Sequence, residues 1–113
     1  MQRPLRLSHS LDFERARLKG KTWRQRWVHL NSVPNGLAHN RYGFIVSKRV
    51  GGAVMRNRVK RQLRSALRTL HPTLAVGHDL IWIARNEIVG QPYSDIMDAV
   101  RELCRTARLI DRR

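Results

Sequence analysis

The clearest pattern of apolar and polar residues lies between residues 53 and 70, where apolar side chains recur with the period of an α-helix. They predict one buried stripe, formed by Val59, Leu63, Ala66, Leu67 and Leu70. The other faces of this helix carry six basic residues and no acid. Like charges four residues apart destabilise an isolated helix by roughly a few tenths of a kcal/mol per pair. The pattern therefore favours a helix whose polar face binds a polyanion, although a run of charge can also be an ordinary solvated face.

The residues before this helix predict one short helix and two strand regions. Residues 7–20 predict a first helix with Ser8 or Ser10 as its N-cap and Gly20 at its end, and its apolar candidates are Leu11, Phe13 and Leu18. Residues 22–32 are rich in aromatic and β-branched side chains and predict strand, either as one element or as two short ones. Asn35-Gly36 is typical of a hairpin turn, so residues 41–50 should return antiparallel to that strand.

The residues after the basic helix predict one buried strand and a last helix. His71-Pro72 should end the basic helix. Residues 80–84 are continuously apolar, which is expected of a strand covered on both faces and reached by a helical crossover. Residues 94–110 predict a helix with the stripe Ile96, Ala99, Val100, Leu103 and Ala107. The order α-β-β-(β)-α-β-α predicts an α+β sandwich with a small mixed sheet, forming a single domain over residues 1–113.

The charge of the chain narrows its partners to polyanions. Its formal net charge is +15, and no acid occurs between Glu14 and Asp79, where fifteen lysines and arginines lie. A hydrophobic content of 42% excludes a disordered basic tail. No apolar run is long enough to span a bilayer, and the first residues lack the apolar segment of a signal peptide, so we expect a cytoplasmic protein. Nucleic acid is therefore the favoured partner, and no membrane partner is predicted.

The side chains that carry out hydrolysis or hold metals are not grouped in this sequence. The five histidines show no ligand spacing, and Asp95 and Asp98 suit the positive end of the last helix. Cys104 has no partner cysteine and is interpreted as a packing residue. Gly51-Gly52 lacks the rest of a phosphate-binding loop. We therefore predict no catalytic residue and no metal site, and the residues alone indicate a small nucleic-acid-binding domain.

Residues 42–64, Tyr-Gly-Phe-Ile-Val-Ser-Lys-Arg-Val-Gly-Gly-Ala-Val-Met-Arg-Asn-Arg-Val-Lys-Arg-Gln-Leu-Arg, closely resemble the signature of the bacterial ribonuclease P protein family. Arg56-Asn57-Arg58 is that family's namesake motif, and here it stands in register with the preceding Ser-Lys-Arg-Val-Gly and the following Lys60-Arg61. The resemblance extends to Leu7 with Phe13, to residues 77–85 and to the last helix, so it covers nearly the whole chain.

The resemblance implies a protein subunit of a ribonucleoprotein endonuclease that removes the 5′ leader from precursor tRNA. Catalysis would belong to the RNA subunit, which would also hold most of the Mg²⁺, and the crossover through the basic helix would be left-handed. The implied partners are the catalytic RNA and precursor tRNA, and no protein partner is predicted. The residues implied to bind the catalytic RNA are Lys48, Arg49, Arg56, Asn57, Arg58, Lys60, Arg61, Arg64 and Arg68.

The resemblance also implies a cleft between the first helix and the sheet that binds the single-stranded leader. Phe13 matches an aromatic position of that cleft, while Arg17 stands where the family commonly has a second aromatic; a guanidinium can stack on a base or contact a phosphate. Phe13 could equally be a core anchor, and Trp23 and Trp27 could be core or RNA-facing. A structural ribosomal-RNA-binding protein and a DNA-binding regulator are the alternative functions.

Overall fold

The helices of this protein pack on the two faces of a four-stranded sheet. The computed structural model describes residues 5–110, and its elements in chain order are α1 Ser10–Lys19, β1 Lys21–Arg24, β2 Val28–Pro34, β3 Arg41–Ile45, α2 Ala53–Leu70, β4 His78–Ala84 and α3 Tyr93–Thr106. Short 3₁₀ turns lie at Lys48–Val50, His71–Thr73 and Asn86–Ile88. The predicted α+β class and element order are confirmed, with the first strand region split in two. Both ends of the single domain predicted over 1–113 lie outside the described residues.

The strand order β1-β2-β4-β3 corrects the predicted hairpin at Asn35-Gly36. β2 and β3 do run in opposite directions, but β4 lies between them, antiparallel to β2 and parallel to β3. The actual hairpin joins β1 to β2, and the Gln25 amide donates to the Val28 carbonyl across its turn. A local turn signal fixes only the reversal of the chain, whereas a later strand can take the place beside β2. The left-handed sense of the β3-α2-β4 crossover stays an expectation from the resemblance.

The larger core lies between the sheet and the pair α2 and α3. Leu30, Tyr42, Leu80 and Trp82 project from the sheet into it, and all five predicted stripe residues of α2 are buried against them. The stripe of α3 is also buried, except for the half-buried Ala107, and this helix ends at Thr106 rather than at residue 110. Trp23 and Trp27 are half-buried against this core, which favours the packing interpretation over an RNA-facing one.

The opposite face of the sheet is only partly covered, by α1 and the segment before it. Leu7, Ala16, Val33 and Ile81 form a second, smaller core there. Leu11 and Leu18 are 81% and 64% exposed, so their prediction as packing residues of α1 is wrong. The predicted Ser8 or Ser10 cap is also wrong, because His9 is the N-cap and makes no side-chain capping bond. Because few of its apolar residues are buried, α1 also depends on polar contacts for its position.

Gly20 ends α1 for a reason that differs from the predicted one. Its φ of −79° is ordinary, so the left-handed conformation that favours glycine is not used here. The helix end instead lies very close to β2: a Cβ at Gly20 would be 2.4 Å from the Ala16 carbonyl oxygen and 2.6 Å from the Asn31 Oδ1. The missing side chain therefore allows the close approach of α1 to the sheet.

Candidate nucleic-acid interface

The basic residues of α2 lie outside its buried stripe and make up the surface of its remaining faces. This surface, called the basic surface of α2 below, consists of Arg56, Arg58, Lys60, Arg61, Arg64 and Arg68. Within residues 5–110 none of these side chains forms an ion pair, whereas Arg15, Arg41, Arg101 and Arg105 all contact carboxylates. The neighbouring Asn57 is exposed as well. The charge of α2 is thus available to an external polyanion.

The N-terminal end of α2 adds further positive potential to this surface. Gly52 is the N-cap, without any capping side chain, and the first turn contains no acid. Lys48 and Arg49 lie exposed on the 3₁₀ turn just before it. Arg56 is half-buried, and its Nε is buried without a hydrogen-bond partner. Free N–H groups at a helix N-terminus beside unpaired guanidinium groups suit the binding of phosphate.

The basic side chains lie on both flanks of α2. On one flank Lys60 and Arg64 line a hollow of about 160 Å³, and the Arg64 guanidinium lies 5.8 Å from the centroid of the Phe44 ring. On the other flank Arg58 and Arg61 line a hollow of about 280 Å³. An RNA could therefore contact α2 from either side as well as from the front.

A cleft of about 520 Å³ lies between α1 and the open part of the sheet, and it is called the α1 cleft below. Its floor is formed by Asn31, Ile45, Ile81 and Ile83 from three strands. The wall beside this floor consists of Ser8, Ser10, Phe13, Glu14 and Arg17. An apolar floor with a polar rim can accept the faces of unstacked bases while their phosphates stay at the rim.

Phe13 is both an anchor of α1 and a wall of the cleft, so the two interpretations of this residue are combined in the structure. Its half-buried ring lies against the backbone of β3, where a Cβ at Gly43 would be only 2.7 Å from the ring's Cζ. The same ring lines the α1 cleft on one side and the hollow beside Lys60 and Arg64 on the other. Phe13 therefore stands where the α1 cleft and the basic surface of α2 approach each other.

Arg17 lies on the rim of the α1 cleft, and it is not free. Its guanidinium donates to both oxygens of the Glu14 carboxylate, which lies on the same rim. This hydrogen bond lowers the pKa of Glu14 and raises the pKa of Arg17. A leader phosphate would therefore have to compete with Glu14 for the guanidinium.

Asp79 is a buried acid whose role the sequence did not reveal. Its side chain is fully buried at the start of β4, where the Arg41 Nε and Nη2 donate to its two oxygens at 2.8 Å each. The Arg15 Nη2 donates at 2.8 Å and the Asn35 Nδ2 at 3.0 Å. Burial alone would raise the pKa of Asp79, but Arg41, Asn35 and Arg15 together hold that pKa below its ordinary value. The network joins α1 to β3 and β4, so it positions the helix that forms one wall of the cleft.

The described residues provide little for chemistry beyond binding. Between residues 5 and 110, no group of three or more histidine, cysteine, aspartate or glutamate side chains could hold a metal ion. Burial raises the pKa of the Cys104 thiol to about 12, as expected of an inert packing residue. Within the same part of the chain, every helix is too short or too polar to cross a bilayer.

Comparison with known proteins identifies the family. The family model described as ribonuclease P matches residues 1–108. The ribonuclease P protein component of Roseiflexus castenholzii is 38% identical over 111 residues, which is 97% of this chain and 91% of the relative. That of Chloroflexus aurantiacus is 39% identical over 97% of this chain and 82% of its own.

Solved structures agree in fold with this assignment. The ribonuclease P protein of Staphylococcus aureus, 27% identical, matches with a TM-score of 0.87 over 95% of this chain and 98% of its own. That of Thermotoga maritima, at 24% identity, shares the fold with a TM-score of 0.82 over 89% of this chain and 96% of its own. From the family match, the curated relatives and the fold together, the chain belongs to the family of bacterial ribonuclease P protein components.

Proposed function

We propose that this chain binds the catalytic RNA through the basic surface of α2 and the 5′ leader of precursor tRNA through the α1 cleft. Members of its family are the protein subunits of the ribonucleoprotein endonuclease that forms the mature 5′ end of tRNA. The observation that supports two separate RNA-binding sites is that two different surfaces lie on opposite faces of one sheet. Unpaired cations cover α2, whereas the cleft beneath α1 has an apolar floor.

Electrostatics explains why such a subunit helps a catalytic RNA. The RNA and its substrate are both polyanions, and bringing them together concentrates negative charge. A protein with a formal net charge of +15 that contacts both partners reduces this repulsion. The residues proposed to contact the catalytic RNA are Lys48, Arg49, Arg56, Asn57, Arg58, Lys60, Arg61, Arg64 and Arg68. Phe13 and Arg17 are proposed to contact the leader.

The metal ions are proposed to belong mainly to the RNA. Catalytic Mg²⁺ needs several oxygen ligands that converge on one point. The acids of the described chain do not converge in this way, and Asp79 has its oxygens occupied by Arg41, Arg15 and Asn35. Residues 5–110 therefore do not fit a metal site, and their proposed contribution is to bind and orient the two RNAs.

Precursor-tRNA cleavage tests the proposed function directly. The purified, ribonuclease-treated protein alone should not cut precursor tRNA. Added to a bacterial ribonuclease P RNA at low magnesium, it should restore cleavage at the mature 5′ end, because its charge replaces part of the screening that magnesium supplies. The gain should shrink as salt is added. Site-specific cleavage by the RNA-free protein, lost on substitution of Asp95, Asp98 or Glu102, would contradict the proposal.

Phe13→Ala should weaken binding of leader-bearing substrate to the assembled enzyme. If the ring stacks on a leader base, the loss should be about 1 to 3 kcal/mol for precursor tRNA, with mature tRNA unaffected. The affinities of the two tRNAs for wild-type and variant enzyme measure this difference.

Leu11→Ala is the matched control for that substitution. Leu11 is on the same helix and 81% exposed, so its removal changes α1 without touching the cleft. It should leave both affinities as they are. If Phe13→Ala instead lowers the melting temperature and weakens both tRNAs equally, Phe13 acts only as the anchor of α1.

A further inference from the structure

Tyr93 is an exposed aromatic residue held at a fixed position beside the basic surface of α2. It is the first residue of α3, and 39% of it is exposed. Its hydroxyl donates to the Ser65 Oγ of α2 at 3.1 Å, a bond that links the two helices. Tyr93 lines two hollows of about 280 and 370 Å³, each large enough for a nucleobase.

Three of the side chains around this ring are polar or basic. Arg58 and Gln62 line both hollows, and Arg61 lines the smaller one. In the part of the chain that the structure describes, none of these three side chains forms a hydrogen bond or ion pair. The larger hollow adds an apolar surface from Met55, Val59, Val89 and Pro92. No acid lines either hollow, so the charge suits an anion.

These groups together match the chemistry of a nucleotide. An aromatic face can stack on any base, and a carboxamide can pair with a base edge as donor and acceptor. Guanidinium groups bind phosphate with two parallel hydrogen bonds. Because Tyr93 is held by α3 and by Ser65, little side-chain freedom would be lost on stacking.

We propose that Tyr93 is a stacking platform for one unpaired nucleotide of the catalytic RNA, with Gln62 at the base edge and Arg58 and Arg61 at its phosphates. This rests on the proposed function of α2. The leader is not the occupant, because the α1 cleft opens on the other face of the sheet. The platform adds Tyr93 at the start of α3 and Gln62 of α2 to the basic residues that the charge pattern identifies.

The affinity of a bacterial ribonuclease P RNA transcript for Tyr93 variants tests the proposal. Tyr93→Leu keeps an apolar side chain against α2 but removes the aromatic face, so it should weaken binding between about fivefold and 150-fold. Tyr93→Phe keeps the ring and should therefore keep most of the wild-type affinity. An unchanged affinity for Tyr93→Leu would overturn the proposal, as would a Tyr93→Phe loss equal to that of Tyr93→Leu.

Crosslinking provides a measurement that does not depend on how the variants fold. The wild-type protein is bound to the same transcript, irradiated with short-wavelength ultraviolet light, which crosslinks natural bases to the side chains they contact, and digested for mass spectrometry. The peptide containing Tyr93 should carry a nucleotide from the transcript, and its absence while α2 peptides are crosslinked would overturn the platform alone. If wild-type protein neither binds the transcript nor supports cleavage, the proposed function itself fails.

Discussion

Asp79→Asn should lower the free energy of unfolding by about 3 kcal/mol, the lower end of the range for breaking a buried ion pair. Asparagine keeps the shape but removes the negative charge and one of the two acceptor oxygens, so Arg41 and Arg15 lose the anion that they share. The lower end applies because the Arg41 and Arg15 side chains are 21% and 36% exposed and can be partly rehydrated. Urea unfolding should show a lower midpoint with an unchanged slope.

The pH dependence of stability is the control for this prediction. The pKa of Asp79 in the folded protein lies below its ordinary value, so the carboxylate binds protons less readily there than in the unfolded chain. Its stabilising contribution is therefore complete above the unfolded pKa of about 3.9 and disappears as the pH falls through the lower folded pKa. The difference in unfolding free energy between wild type and Asp79→Asn should narrow in acid. A difference that stays constant from neutral pH to strong acid would contradict the role of the ionised carboxylate.

The sequence predicted the elements whose signals are local and strong. The stripe of α2 is buried at every predicted position, because five apolar residues at helical spacing can only be covered together. The strand β4 was predicted by its continuous apolar run, because such a run must be buried. Strand pairing was not predictable in this way, because β2 pairs with β4, which lies more than forty residues later in the chain.

Helix α1 was predicted, but most of the contacts that hold it were not. Leu11 and Leu18 seemed the natural packing residues, but the helix is held by Ala16, by the half-buried Phe13 and by the bond from Arg15 to Asp79. An arginine on a short helix and an acid 64 residues later give no periodic signal. An isolated acid that directly precedes an apolar run, in a chain with many unpaired cations, is the one clue that could have indicated this network.

In the candidate site, too, the features with local sequence signals were predictable and those that depend on long-range contacts were not. The basic surface of α2 was predictable because its charges follow one another on a single helix. The floor of the α1 cleft combines residues from three strands, and the hydrogen bond of Tyr93 to Ser65 joins residues 28 apart in sequence. The Glu14 partner of Arg17 lies only one turn away, yet the resemblance directed attention to stacking rather than to an ion pair.

Replacing Arg56, Arg58, Lys60 and Arg61 together by glutamine should weaken binding of the catalytic RNA and flatten its salt dependence. Each lost phosphate contact removes about 0.7 to 0.9 from the slope of log K against log salt, so four contacts remove about 3. If that contribution vanishes near about 1 M salt, the affinity at about 0.15 M should fall about 300-fold. Filter binding over a salt series measures both quantities.

The melting temperature of this variant distinguishes lost RNA contacts from unfolding. Unfolding would lower the melting temperature, whereas the loss of RNA contacts alone would not. None of the four side chains belongs to the buried stripe of α2, and removing them relieves the like-charge pairs Arg56/Lys60 and Lys60/Arg64, so the melting temperature should stay or rise. Arg101→Gln with Arg105→Gln is the matched control on α3, where Asp98 and Glu102 already neutralise the arginines. Paired arginines release few counterions, so this control should change the slope by less than one contact. An equal loss per charge in both variants would mean that net charge, rather than the basic surface of α2, binds the RNA.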